Sequence, residues 1–523
     1  MFDVIIVGSG AAGTFSAYSL RGLKTLVLDV GHTPPAESIS GNWYDLKNKE
    51  THFNKIIGAR FESLNDIEFR KLTPKAKAPL MRYVIQEPKC SPNILSQEFS
   101  PTVSYAEGGL ANIWGAQVYR FNNEDLKGYP ITSEELGPFY DKLIKHIGVS
   151  GSDDDLAQFL DGTTGMLPAV KLGEIGAEIL KRYQQKAGLF HKNGVYVGHP
   201  RLAVLTRDYG DRQKLSYDNL EFLQSRNPAI YSPAFTLRTL VEKKEVKYLS
   251  GYLVERYEEH KDEVTVLAKN LNDNSVEQFH GKKLILSLGA FNTARLVLFS
   301  NHDFSTELPV VENPFSLIPL VSLTRIGLPL DKKSYSSQLC FVYSGKLCDE
   351  LVIGMIYGIE GIPRSDMLFD FPFLVSGSIA AAKYILPAMA VMQVYRPSDP
   401  QEGNTLKINQ DGSLIIKFHR NQYRSIEQHL IKVFRRIGYF SASFLIQPSE
   451  PGLSNHYAGP LPMRAKSQRP YETDRNGLLF GSQHIYIGDS ASFPRLPAKN
   501  LTFTIMANAM RIARNIRSGF ESH

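Results

Sequence analysis

The stretch "DVIIVGSGAAG" at residues 3–13 constrains the fold of this chain more than any other. "DVIIV" (3–7) is a short, β-branched apolar run, which predicts a strand buried on both faces. Gly8, Gly10 and Gly13 follow in G-x-G-x-x-G spacing. "TFSAYSLRG" then predicts a helix, and "TLVLD" (25–29) a second apolar strand. The glycines serve separate ends. Gly8 permits the tight turn, Gly10 lets a pyrophosphate approach the backbone, and Gly13 lets helix and strand pack closely. Ser9 and Ala12 belong to the same cradle, where the helix start offers free N–H groups and a partial positive charge. Asp29 closes the second strand, 29 − 13 = 16 residues after the last glycine. It is suited to accept hydrogen bonds from an adenosine ribose and to repel a 2′-phosphate. Strand, glycines, helix, strand and acid in this order predict an α/β dinucleotide-binding unit. NAD and FAD remain undivided at this level.

The rest of the composition narrows the class. With 523 residues the chain is too long for one small core, and about three domains or one large composite enzyme is expected. The net charge of +6 comes without a run of cations. "KKEVK" (243–247) reads as a solvated face, so no nucleic-acid partner is expected. The three cysteines, Cys90, Cys340 and Cys348, form no CxxC pair. That predicts neither a disulfide framework nor a metal site, and a reducing, cytoplasmic setting. The first strand begins at once, with no secretory leader ahead of it. The sequon Asn500-Leu501-Thr502 is therefore not read as a glycan acceptor.

Five further stretches resemble the glucose–methanol–choline family of FAD oxidoreductases. They are "EGGLANIWGA" (107–116), "YPITSEELGPFYDKLIKHIGVSG" (129–151), "KKLILSLGAFNTARLVLFS" (282–300), "SNHYAGP" (454–460) and "IYIGDSASFPRLPAKNLTFTIMANAMRIARNI" (485–516). The resemblance implies an α/β composite fold. A Rossmann-like FAD-binding domain (1–118, 201–300 and 451–523) would be interleaved with a substrate domain (119–200 and 301–450) built on an antiparallel sheet. Within the latter, "TLKINQDGSLIIKF" (405–418) predicts a hairpin turning at Gln410-Asp411-Gly412. The resemblance also places Gly108, Gly109, Asn112, Trp114 and Gly115 along the flavin and Asp489 on its ribityl chain. Val254, Gly289, Ser490, Leu501 and Thr502 are further cofactor contacts by the same resemblance.

The chain departs from the family in three places. Asp29 stands where Glu is usual. Gly459-Pro460-Leu461-Pro462-Met463 replaces Gly-Thr-x-Arg-Met, a variant associated with sugar and glycan biosynthesis. Ile113 occupies the position at which members with a covalent flavin carry histidine, so noncovalent FAD is expected.

The resemblance makes His456 the catalytic base and Asn500 its partner. A neutral imidazole can take the hydroxyl proton while the carbinol hydrogen leaves as hydride for flavin N5. The Asn500 amide would orient the substrate oxygen, although an N-cap is an equally ordinary use of asparagine. The expected reaction is oxidation of a CH–OH group in a sugar, aminocyclitol or glycan. Oxygen, a quinone or a redox protein would then take the electrons. A long-chain or lipid-linked alcohol, non-redox chemistry on the same fold, and a flavin-binding scaffold stay open. "FPFLVSGSIAAAKYILPAMAVMQV" (371–394) has the length of a membrane span but contains Lys383, Pro387 and Gln393. It reads as a buried helix pair or site cover, with a peripheral membrane contact as the sharper alternative.

Overall fold

The computed structural model describes residues 1–521 except 37, 60–62, 64–71, 97, 163, 221–223, 225, 360–383 and 421–423. The N-terminal strand β1 (Phe2–Val7) leads through a glycine turn into α1 (Ala11–Ser19) and then β2 (Thr25–Leu28). β1 pairs in parallel with β2 on one side and with the strand Val276–Leu286 on the other. The strand Ile485–Ile487 continues the parallel order beyond Leu284–Leu286. The first half of Val276–Leu286 instead runs antiparallel to Val264–Asn270, which pairs with Tyr252–Glu259. Among the described residues these make a seven-stranded mixed sheet with Lys247–Leu249 at the edge beyond β2.

Both faces of β1 are covered, as its continuous apolar run predicts. Val4 and Ile6 pack with Ala17 of α1, Leu20 at its C-terminal cap, and Ile512 and Ile516 of the C-terminal helix Thr502–Glu521. Ile5 and Val7 pack on the opposite face with Phe291, Ala294 and Leu298 of the helix Ala290–Ser300. Ala507, Met510 and Ile512 are buried on the C-terminal helix, the packing role that helical spacing assigns them.

A second, antiparallel sheet has the order Tyr439–Phe440, Phe315–Ser322, Met389–Tyr395, Cys348–Gly358, Ser337–Gly345, Val195–Gly198, with Gln447–Pro448 also pairing Phe315–Ser322. The helices Glu174–Gln185 and Ser425–Arg435 cover its outer face through Ile175, Ile179, Leu430 and Phe434. The mixed α/β architecture expected from the motifs is thus present.

One local expectation changes and another holds. Residues 371–383 lie outside the described residues, but Met389–Tyr395 is a central strand and no part of a helix pair. Its alternate residues Ala390, Met392 and Val394 face the covering helices, while Val391, Gln393 and Tyr395 line a cavity. Period two, hidden inside an apolar run, decides the conformation. No helix among the described residues is long and apolar enough to cross a membrane. The hairpin Thr405–Ile408 and Leu414–Lys417 forms, with Gly412 at a positive φ of 81°. It joins Ile94–Leu95 and Leu308–Pro309 in a separate small sheet packed on the first core.

Gly13 is where the first unit is tightest. A Cβ there would stand 1.9 Å from the Gly8 carbonyl oxygen, a backbone atom with no room to retreat. Gly13→Ala should therefore abolish soluble expression or lower the melting temperature of the purified chain by many degrees. Gly519→Ala, with nothing within 4 Å, is the control. It should leave melting unchanged or raise it by the equivalent of about 0.5–1 kcal/mol. Equal melting of both variants would contradict this packing.

Candidate active site

Two adjoining cavities occupy the junction of the sheets. Gly8, Ser9, Gly10, Ala12, Asp29 and Gly109 line the first, together with Val254, Gly289, Asp489, Ser490, Leu501 and Thr502. The second, of about 310 Å³, is lined by His456, Asn500, Trp114, Gly115, Gln393 and Tyr395, among others. Leu110, Ala111, Asn455 and Thr502 border both. Sequence-predicted positions from both ends of the chain thus meet in one place.

The first cavity lies at the C-terminal ends of the parallel strands, where open α/β sheets bind ligands. Gly10 precedes α1 and no side chain caps that helix, which leaves its first N–H groups facing the cavity. At φ −64° and ψ −166° Gly10 needs no special backbone freedom. A Cβ there would meet only the Gly109 Cα, at 3.9 Å. Nothing in the protein demands glycine at that point, so the cradle it leaves is room for something else. Asp29, at the end of β2, accepts a short hydrogen bond from the Ser9 hydroxyl, which itself accepts from the Gly108 N–H at 3.2 Å. Burial pushes the Asp29 carboxyl up to about 7, against the pull of the Ser9 hydrogen bond. A group donating hydrogen bonds to Asp29 would favour its ionised form.

Asp489 is buried and knits three segments together. It accepts from Gly289 N–H (2.8 Å), Thr293 Oγ1 (2.6 Å) and Ala491 N–H (2.9 Å). Burial raises its carboxyl, and these donors oppose the rise.

The segment 107–116 divides its residues between tasks. Gly109 lines the first cavity, whereas Trp114 and Gly115 line the second, with the indole N–H held by Tyr231 O at 2.9 Å. Gly108 and Asn112 line neither. Gly108 has φ 90°, and a Cβ there would crowd Ser232 Oγ at 3.0 Å. Asn112 donates to Glu107 O and Gly109 O and accepts from Ser232, so its amide shapes the turn. Gly13 packs under the turn rather than lining it.

His456 and Asn500 meet. The Asn500 amide nitrogen lies 3.2 Å from His456 Nε2. An amide nitrogen only donates, so Nε2 accepts and carries the lone pair. The Nδ1 of His456 is buried without a partner among the described residues. Burial lowers the imidazole to about 4, which keeps it neutral and basic at ordinary pH. The C-terminal helix opens at Leu501, where Ile505 N–H donates to Leu501 O at 2.9 Å. Asn500 thus stands just ahead of that helix, and its side chain turns to the imidazole.

Other contributors were not legible beforehand. The loop carrying His456 is anchored by Glu312, which is fully buried. Glu312 accepts from Gly452 N–H (2.8 Å) and Ser454 Oγ (2.9 Å) and pairs closely with Arg420. Ser454 Oγ in turn accepts the His456 N–H at 3.1 Å. On the facing sheet a chain of side chains runs one way. Gln117 Nε2 donates to the Tyr357 hydroxyl (2.8 Å), that hydroxyl to Gln393 Oε1 (3.1 Å), and Gln393 Nε2 to the Tyr395 hydroxyl (3.0 Å). The Tyr395 ring stacks on His456 with centroids 5.0 Å apart and planes 25° off parallel. The polar positions 393 and 395 inside an apolar run were the available signal.

No protein-family profile matches the chain, and no curated protein matches it in sequence. Among 601 solved chains that resemble it in structure is pyridoxine 4-oxidase from Mesorbium loti. That likeness has a TM-score of 0.62 over 100% of both chains, at 12% identity. At so low an identity the likeness shows the fold, and the whole chain shares it.

Proposed function

We propose that this chain is an FAD-dependent oxidoreductase of the glucose–methanol–choline type that converts a CH–OH group to a carbonyl. The observation that carries the reading is the contact between Asn500 and the neutral His456 in a small-molecule cavity that adjoins a dinucleotide-shaped one. The solved neighbour named as an oxidase of pyridoxine adds weight on the side of oxidation.

The residues present fit FAD. The cradle at Gly10 and the uncapped start of α1 would hold the diphosphate, and Asp29 the adenosine ribose. Val254, Gly289, Asp489, Ser490, Leu501 and Thr502 would line the rest. Ile113 offers no atom for a covalent link, so retention is noncovalent. FAD, when bound, supplies the hydride acceptor. The substrate hydroxyl displaces the Asn500 amide from His456 Nε2, which then takes the hydroxyl proton. The Asn500 amide orients the substrate oxygen and stabilises charge growing on it. Water exclusion around His456 keeps the imidazole neutral until the proton arrives.

The substrate is hydroxyl-rich and sugar-like on this reading. The Gln117–Tyr357–Gln393–Tyr395 chain supports it, because the Tyr357 hydroxyl accepts from Gln117 and donates to Gln393, whose amide in turn donates to the Tyr395 hydroxyl. Tyr395 stands last, and its own proton has no protein acceptor among the described residues. Burial holds that phenol well above its ordinary range, so it stays a donor at working pH. It would position a second oxygen of the substrate beside His456.

Gly10→Ala tests the cofactor. The variant should melt like the FAD-free wild type yet retain little flavin, seen as a lost ratio of flavin to protein absorbance. Full retention would place the diphosphate elsewhere.

An anaerobic screen of sugars, cyclitols and long-chain alcohols for flavin bleaching tests the reaction. With an alcohol that bleaches the wild type, His456→Ala should slow bleaching about 10²–10⁴-fold while the protein stays folded and yellow. Asn500→Asp keeps the shape and the capping ability but places negative charge at the developing alkoxide. It should be nearly inactive, whereas a pure cap would leave it active. Tyr395→Phe should raise the alcohol concentration for half-maximal rate about tenfold. Bleaching by no alcohol, or undiminished bleaching in His456→Ala, would overturn the reading.

A further inference from the structure

An exposed apolar edge lies apart from both cavities. Sheet register sets Val321 against Phe440 and Ser322 against Tyr439, so the turn Leu323–Arg325 leaves the sheet beside Gly438. Gly327 N–H donates to Tyr384 O at 2.8 Å, which brings Ile326 and Leu328 to Tyr384. The turn Ser443–Leu445 follows the same edge strand before Gln447 pairs with Leu317. Phe444 is 82% exposed, Leu323 and Tyr384 are each 62% exposed, and Ile326, Leu328 and Phe440 are also exposed. Scattered single apolar residues are normal on a surface, but six along one edge mark an interaction site.

The border of this edge is cationic. Arg435, Arg436 and Lys186 are exposed there. Arg435 is tied to Ser441 O (3.4 Å), and Lys186 to the carbonyl of Arg436 (2.6 Å). None of the three forms an ion pair with a carboxylate among the described residues. Arg182 and Arg325, set deeper, do have such partners in Glu174 and Glu178. The edge therefore presents apolar side chains beside uncompensated positive charge.

We infer that this edge docks on an anionic lipid surface. Phe444, Leu323 and Tyr384 would enter the zone between headgroups and acyl chains, while the three cations meet lipid phosphates. Both features are used at once by such a surface, and neither answers a need of the fold. Gln447, three residues beyond Phe444, lines the second cavity, so the docked face adjoins the site. The inference does not rest on the reaction proposed above.

The test is cosedimentation of the purified holoprotein with vesicles of phosphatidylcholine alone or mixed with phosphatidylglycerol. Binding should appear with the anionic vesicles and weaken as salt rises. The double variant L323S/F444S should lower it about tenfold or more, and R435Q/R436Q by a similar factor on anionic vesicles only. Unchanged melting and flavin content in both variants would confirm that the fold is intact. Absence of binding to either vesicle, or binding that neither variant reduces, would overturn the inference. So would a wild-type dimer by light scattering that L323S/F444S turns into a monomer, since a second copy would then cover the edge.

Discussion

The parallel register of four strands is the constraint on which the rest of the molecule depends. Val4–Val7 lies level with Thr25–Leu28 on one side and Lys283–Leu286 on the other, and Ile485–Ile487 extends the row. Because the strands end together, the residues that follow each of them arrive at one edge. Gly8 to Gly10 follow the first, Asp29 the second, Ser287 to Gly289 the third, and Asp489 the fourth. No one of these segments is a site by itself. The register is held by apolar side chains on both faces, where a slip of one residue would turn every side chain to the wrong layer.

The proposed chemistry depends on a second restraint, on the loop that carries His456. Glu312 comes from a two-residue strand paired with Tyr457–Ala458, and it grips the loop that carries His456 through Gly452, Ser454 and Arg420. Burial raises the Glu312 carboxyl, while Arg420 and the loop donors favour its charged form. A buried pair of this kind adds little net stability, yet breaking it by removing one partner costs about 3–5 kcal/mol. Its use is geometric. It sets the imidazole against Asn500 and under Tyr395, so that three side chains from distant parts of the sequence share one orientation.

The sequence disclosed what is local and left hidden what is made by distance. The glycine turn was legible because each of its glycines meets a backbone constraint within a few residues. His456 and Asn500 were legible through their motifs, though nothing in the chain's order shows that they touch. Asn112 and Gly108 are expected along the flavin; they line neither cavity, and the Asn112 amide and the positive φ of Gly108 shape the turn. Glu312, Arg420 and the Gln117–Tyr395 chain escaped notice. Glu312 and Arg420 lie 108 positions apart, Gln117 and Tyr357 lie 240 apart, and Tyr357 and Gln393 lie 36 apart, so no local pattern marks these pairs. Within the run 371–394, continuous hydrophobicity outweighs the alternation at Val391, Gln393 and Tyr395 in the sequence, and the helix reading of Met389–Tyr395 gives way to a strand in the structure. A strand covered on both faces writes its period only in such interruptions.

The central claim is that a buried, neutral His456 takes the proton of an alcohol. The pH dependence of anaerobic flavin bleaching at saturating alcohol tests it most directly. With the imidazole lowered to about 4, the rate should be flat from neutral pH down to about 5 and fall tenfold per unit below about 4. A fall that begins near 6.5, the ordinary value for a solvated imidazole, or a profile unchanged in His456→Ala, would contradict the account.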